Sequence, residues 1–286
     1  MRASWPRRRS SRNGDRRVIG MLRALLVSCV LLAPAYARAA VAPAQQSCFL
    51  LYEVGVGQRS RDPDPACEQR YSPASTFKIP HALFALDAGA VSGPDEVMAY
   101  DGQGDWAPLA RRDHSLATAM RYSVVWYFQR IAQRLGMQRE RDYLRKIGYG
   151  NQDAGSDLTH FWLGDALTIS PLEQQRFLLD LYADRLPLSK PAMAQVRAML
   201  VQPQGQVTNA RGEHAFAAPW PAGAVVSAKT GSVTDRAGRG VRWLVGHVQR
   251  GKRAYVFVSC VVGAKDLDQN AAIDLAAREL QAAQVL

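Results

Sequence analysis

Lysine is scarce in this chain: six Lys stand against thirty Arg in 286 residues. Four cysteines are too few for a disulfide-dense small fold. The five histidines, at 81, 114, 160, 214 and 247, form no His-x-His or His-Glu-x-x-His pattern, so no metal is expected and a zinc hydrolase is disfavoured. No internal repeat or low-complexity linker is visible. Beyond residue 39 no apolar run reaches the ~18 residues that span a bilayer, so no membrane span is expected there. What is present, 48% hydrophobic and 21% charged residues, is an ordinary globular balance for one large domain or two interlocked ones.

The net charge of +11 is unevenly spread. Residues 1–39 hold nine Arg and one Asp, hence +8, which leaves +3 for the other 247 residues. A nearly balanced body has no concentrated basic patch, which argues against nucleic acid as a partner. Arg-rich residues 2–23 precede a short apolar run, Ala24 to Ala33, and small-x-small sites at Ala35-Tyr36-Ala37 and Ala37-Arg38-Ala39. That is the pattern of a secretory signal peptide over 1–39, and it places the body in the periplasm. Met21 as true start, or Arg16-Arg17 as a twin-arginine signal, would each explain the length of this leader. Cys48 and Cys67 then have two readings: a disulfide permitted by an oxidising compartment, or two free buried thiols. Cys260, in an apolar β run, reads as an inert small hydrophobe.

Along the body, Cys48–Val56 reads as a strand and 75–88 as a helix stopped by Gly89. Residues 115–135 keep one helical period through Leu116, Met120, Val124, Phe128, Ile131 and Leu135. Residues 139–147 and 171–182 are further helices. The last third holds β-rich runs at 225–230, 241–249 and 253–262, then a helix over 270–284. The expected class is α/β (α+β): an antiparallel sheet flanked by N- and C-terminal helices, with an all-helical insertion. The sheet part would comprise 40–98 and 186–286, the helical part 99–185, and the active site would lie between them.

Four short motifs carry chemistry. Ser75-Thr76-Phe77-Lys78 opens a helix, and an i, i+3 spacing puts hydroxyl and amine on one face. Apolar neighbours would desolvate Lys78 and favour its neutral amine, a base beside a nucleophile. An N-capping Ser with a snorkelling Lys fits the same four residues. Ser123-Val124-Val125 falls inside the long helical segment. Lys229-Thr230-Gly231-Ser232 ends a β run, where Gly231 would let backbone approach a ligand. Tyr149-Gly150-Asn151 follows a helix end.

Together and in this order, the four motifs resemble those of the class D, oxacillinase-type β-lactamases. Phe161-Trp162-Leu163 and Leu167-Thr168-Ile169-Ser170-Pro171 are similar to that family's tryptophan segment. The resemblance runs from about Cys48 to the final helix and implies the penicillin-recognising serine-enzyme fold. It implies that Ser75 is the acylated nucleophile. It implies that Lys78 is N-carboxylated by CO2 or bicarbonate and serves as general base, with no separately bound cofactor. Trp162 would stabilise the carbamate and Val125 would wall it. Ser123 would relay a proton, and the backbone N–H groups of Ser75 and Ser232 would form an oxyanion hole. Lys229 and Thr230 would hold the substrate carboxylate beside Gly231, and Tyr149, Gly150 and Asn151 would shape the site. The implied activity is hydrolysis of β-lactam antibiotics, hence resistance, by a monomer or homodimer. Asn270 stands where many members carry a carboxylate-binding Arg, with Arg236 or Arg242 as substitutes. The rival readings are a D,D-peptidase-like penicillin-binding protein and a non-hydrolytic penicillin sensor. Val125, where peptidases usually carry Asn, disfavours the first, and the lack of a membrane span disfavours the second.

Overall fold

The computed structural model describes residues 44–62, 65–104 and 106–286. The expected leader, with Met21 and both cleavage sites, lies outside the described residues. Among the described residues no helix is long and apolar enough to cross a membrane.

The chain enters along β1 (Gln46–Glu53) and turns into β2 (Gly57–Arg61). Helix α1 (Lys78–Asp87) follows. A two-residue ribbon, β3 (Val97–Met98) with β4 (His114–Ser115), precedes α2 (Leu116–Arg121), α3 (Val125–Leu135) and α4 (Met137–Ile147). Then come α5 (Pro171–Tyr182) and α6 (Lys190–Met199). A short hairpin, β5 (Gln206–Asn209) with β6 (Gly212–Ala215), leads to three long strands, β7 (Ala224–Thr234), β8 (Gly240–Arg250) and β9 (Arg253–Gly263), and to α7 (Ala271–Ala282). The main sheet has the order β2-β1-β9-β8-β7, and each neighbouring pair is antiparallel. β7 is therefore an edge strand.

Alternation along the strands splits the core in two. Cys48, Leu50, Val241, Trp243 and Val245 join Phe77, Phe84, Phe128 and Trp162 on the helical side. Phe49, Leu51, Val226, Ala228 and Leu244 pack with Ile273, Ala276 and Leu280 of α7 on the other. Each side chain takes its face from the two-residue period of the strand. The Sγ atoms of Cys48 and Cys67 are bonded, tying β1 to the turn before the site; Cys260 is free and buried.

Several local expectations change. The single helix over 115–135 is two: Tyr122 ends α2, Ser123 has φ of 57°, and Val124 is extended before α3. The apolar period hid this break because Leu116, Met120, Val124, Phe128, Ile131 and Leu135 all reach the same core. Lys229-Thr230-Gly231 does not end its strand, since β7 pairs with β8 as far as Thr234 opposite Gly240. The helical part, 99–185, also holds β4, a two-residue strand paired with Val97–Met98. Helix α6 and the β5–β6 hairpin were not anticipated.

Candidate active site

Ser75 lies in a 3-10 turn, Ala74–Phe77, that runs directly into α1. Ala74 before it has φ of 48°, a left-handed conformation costing an L residue on the order of 1–3 kcal/mol. Surrounding bonds hold that turn: Thr76 Oγ1 donates to Pro73 O at 2.7 Å, and Gln174 Nε2 donates to Thr76 Oγ1 at 2.7 Å. The Ser75 hydroxyl consequently lines the cleft, half-buried. Gly231 makes this packing possible. A Cβ there would stand 3.0 Å from Pro73 O and 3.1 Å from Thr76 Cγ2, so this glycine admits the serine turn rather than a ligand backbone.

Lys78 opens α1 with none of its surface exposed. Its Nζ is 2.8 Å from Ser75 Oγ and 5.5 Å from the Phe128 ring centre. Burial pushes the amine well below the ordinary lysine range, and the nearby charge of Lys229 adds to the effect. Trp162 stacks on Phe77 (5.9 Å between centres) and meets His81 edge-on (5.1 Å), the residues one before and three after Lys78. Its Nε1 is buried and has no hydrogen-bond partner among the described residues. A buried donor left unmatched costs about 1–3 kcal/mol, so this one fits a bound acceptor.

The tryptophan segment is tied down from two sides. Tyr71 and Ile169 exchange backbone bonds, and Ser72 Oγ donates to Trp162 O at 3.1 Å. Asn151 Nδ2 donates to Ala166 O, Thr168 N donates to Asn151 Oδ1, and Asn151 N donates to Thr168 O. Gly150 (φ 53°) lies so close to Thr168 that a Cβ would stand 2.1 Å from its carbonyl oxygen. The Tyr149-Gly150-Asn151 motif is thus a clamp on the Trp162 segment, with the Tyr149 ring packed edge-on against Phe77.

Across the cleft, Ser123 projects from the α2–α3 break. Lys229 Nζ donates to Ser123 Oγ and to Thr230 O, both at 3.0 Å. Burial brings the Lys229 amine from near 10.5 down to about 7. Beyond residue 228, β7 has an open edge. Ala228 N donates away from β8, to Leu200 O, so by the period of the strand the N–H groups of Thr230 and Ser232 also face away from β8.

A cleft of about 200 Å³ joins the two sides, lined by Ser75, Ser123, Val125, Thr230, Gly231 and Ser232. Val125 lines this open cleft, while Phe128 covers the Lys78 amine. Sequence reasoning missed Asn209, Ala210, Arg211 and Gln269, which also line it; Arg211 is the one charged residue among the lining residues. The turn at Asn209-Ala210-Arg211-Gly212 was the available signal. Arg242 is buried against the carbonyls of Val233, Val241 and Leu267, and Arg236 pairs outward with Asp165. Neither lines the cleft. Asn270 lines the adjoining groove with Arg211 and Asp268.

The penicillin binding protein transpeptidase domain family matches residues 52–282. The probable β-lactamase YbxI of Bacillus subtilis (strain 168) is 34% identical over 228 residues, 79% of this chain and 78% of that protein. The β-lactamase OXA-2 of Salmonella typhimurium is 40% identical over 139 residues, 49% of this chain and half of OXA-2. Among solved structures, the class D β-lactamase BAT-2 superposes with a TM-score of 0.73 at 30% identity, covering 85% of this chain and 93% of that one.

Proposed function

The chain belongs to the class D β-lactamases, and from that premise we propose that it opens β-lactams through an acyl-enzyme on Ser75 with Lys78 carboxylated. The observation that carries the reading is a fully buried Lys78 amine 2.8 Å from Ser75 Oγ, with the unmatched Trp162 indole N–H packed against the same turn. Only an unprotonated amine adds CO2, and burial favours that form. The carboxylate it would carry, formed with release of one proton, supplies a base next to the Ser75 hydroxyl for both half-reactions. Trp162 Nε1 would donate to it.

The remaining steps fall to the chain's own side chains. Ser75 Oγ attacks the lactam carbonyl carbon, and the negative oxygen meets the N–H groups of Ser75 and Ser232. As the carbon–nitrogen bond breaks, the lactam nitrogen takes the Ser123 hydroxyl proton, which Lys229 replaces. Lys229, buried behind Ser123, is assigned to this relay rather than to the substrate carboxylate. The carboxylate is assigned to Thr230 and Arg211, with Arg211 on the β5–β6 hairpin taking the part expected of a residue at 270. Water then attacks the ester and frees Ser75. Periplasmic location is part of the same proposal, supported by the Cys48–Cys67 bond, which persists in oxidising compartments, and a resistance role follows from the activity.

The test is turnover of a chromogenic cephalosporin by the purified protein. Wild type should hydrolyse it repeatedly, lose activity when stripped of bicarbonate at mildly acidic pH, and recover on adding it back. Ser75→Ala should be folded and inert. Turnover by Ser75→Ala, indifference to bicarbonate, or a single stable adduct without turnover would overturn the assignment concerned.

A further inference from the structure

Behind the wall of the Lys78 chamber lies a second buried pair that none of these steps uses. His81 Nε2 is 2.7 Å from Glu140 Oε1, and both side chains have no exposed surface. His81 stands one turn after Lys78 on α1; Glu140 is in the first turn of α4. His81 Nδ1 and Glu140 Oε2 have no partners among the described residues, so each side chain relies on the other. The imidazole packs against Phe77 (5.2 Å), Phe128 (5.7 Å) and Trp162 (5.1 Å), and Phe128 also covers the Lys78 amine. A lone carboxylate in such an apolar setting is expensive unless it is matched. The 2.7 Å contact lets the imidazole match the carboxylate.

We propose that His81 is a positioning residue for Lys78: by matching the Glu140 carboxylate behind the wall, it lets Lys78 carry an anion. This rests on the carboxylated-lysine reading above. Removing His81 alone leaves the Glu140 carboxylate unmatched, and that charge opposes a second anion on Lys78. Exchanging Glu140 for its amide removes the anion together with the need for a counter-charge. The two single substitutions should therefore differ, and a double substitution that removes both polar groups should restore what the first one lost. A purely structural brace predicts the opposite, with the double variant at least as damaged as either single.

The experiment titrates the purified full chain with ¹³C-labelled bicarbonate and follows the carbamate resonance by ¹³C NMR, with thermal unfolding as the check of folding. His81→Asn should need about tenfold more bicarbonate for half-carboxylation, the effect of one unmatched charge on the order of 10 Å away at an effective dielectric of ~20. Glu140→Gln and the double variant His81→Asn/Glu140→Met should stay within about threefold of wild type, the ordinary scatter of uncharged substitutions. An unchanged His81→Asn, a Glu140→Gln as impaired as His81→Asn, or a double variant no better than the single would overturn the proposal. Should His81→Asn fail to fold, the other two variants decide it: a tenfold loss in either overturns it, and wild-type behaviour in both supports it. Absence of a resonance in wild type at saturating bicarbonate would overturn the carbamate reading itself, and is settled before any variant is compared.

Discussion

The cleft sets two buried lysines opposite each other and treats them differently. Lys78 sits among Phe77, Phe128 and Trp162, and it donates to a hydroxyl, Ser75 Oγ. Lys229 sits at a strand edge and bonds both a hydroxyl and a carbonyl oxygen. Desolvation lowers both amines, and the charge of Lys229 pushes the Lys78 amine further down. The dry, aromatic side suits a group that must lose its proton and stay unprotonated. The polar side suits one that holds a proton near neutral pH and passes it on. One residue type is thus suited to two chemistries, and the neighbours decide which.

The largest expected effect comes from silencing the polar side. Lys229→Met should lower kcat by about 10²–10⁴, the usual worth of a positioned proton donor, with little change in carbamate formation. The same variant should be more stable than wild type near pH 7. In wild type the folded amine titrates at about 7, against about 10.5 when unfolded. Between those values the unfolded chain binds a proton that the folded chain lacks, so wild-type stability rises with pH. Methionine removes that dependence, and its advantage, on the order of 5 °C in Tm at pH 7, should shrink toward pH 10. A variant whose advantage is independent of pH would break the comparison.

On the dry side, Trp162→Phe keeps the ring stack on Phe77 and deletes one donor. Activity at ambient bicarbonate should fall by about 10–10², the worth of a hydrogen bond to an anion, and excess bicarbonate should recover most of it. Loss without recovery would assign the indole a packing role only. The smallest effect is expected at the cleft mouth. Arg211→Ala should raise KM by about three- to tenfold for substrates carrying a carboxylate, because an exposed cation is screened by solvent, and leave kcat near wild type. An equal change for an esterified substrate would detach Arg211 from the carboxylate.

Much of this was legible before the structure. The Ser75–Lys78 spacing reads directly as a shared face, and the contact is there at 2.8 Å. Cys48 and Cys67 stood open between thiols and a bond, and the bond is formed. Helix α5 begins at Pro171 as read, with Ser170 capping it through Glu173. The β-rich final third gave the antiparallel meander. The break at Ser123 was not legible, because apolar periodicity reports which face is buried and not whether the backbone between two turns of helix stays helical. Arg211 was missed because its value depends on where a hairpin tip lands. The His81–Glu140 pair was invisible for the same reason: 59 residues separate two groups that only packing joins.

Local chemistry in the chain determined the Ser75–Lys78 pairing, the sheet-forming third and the family to which these belong, since each depends on residues a few positions apart. The tertiary structure alone decided how dry each lysine is, which N–H groups look into the cleft and which cation reaches its mouth. Those properties are set by distance and solvent exclusion among segments far apart in the chain, and local spacing carries no record of either.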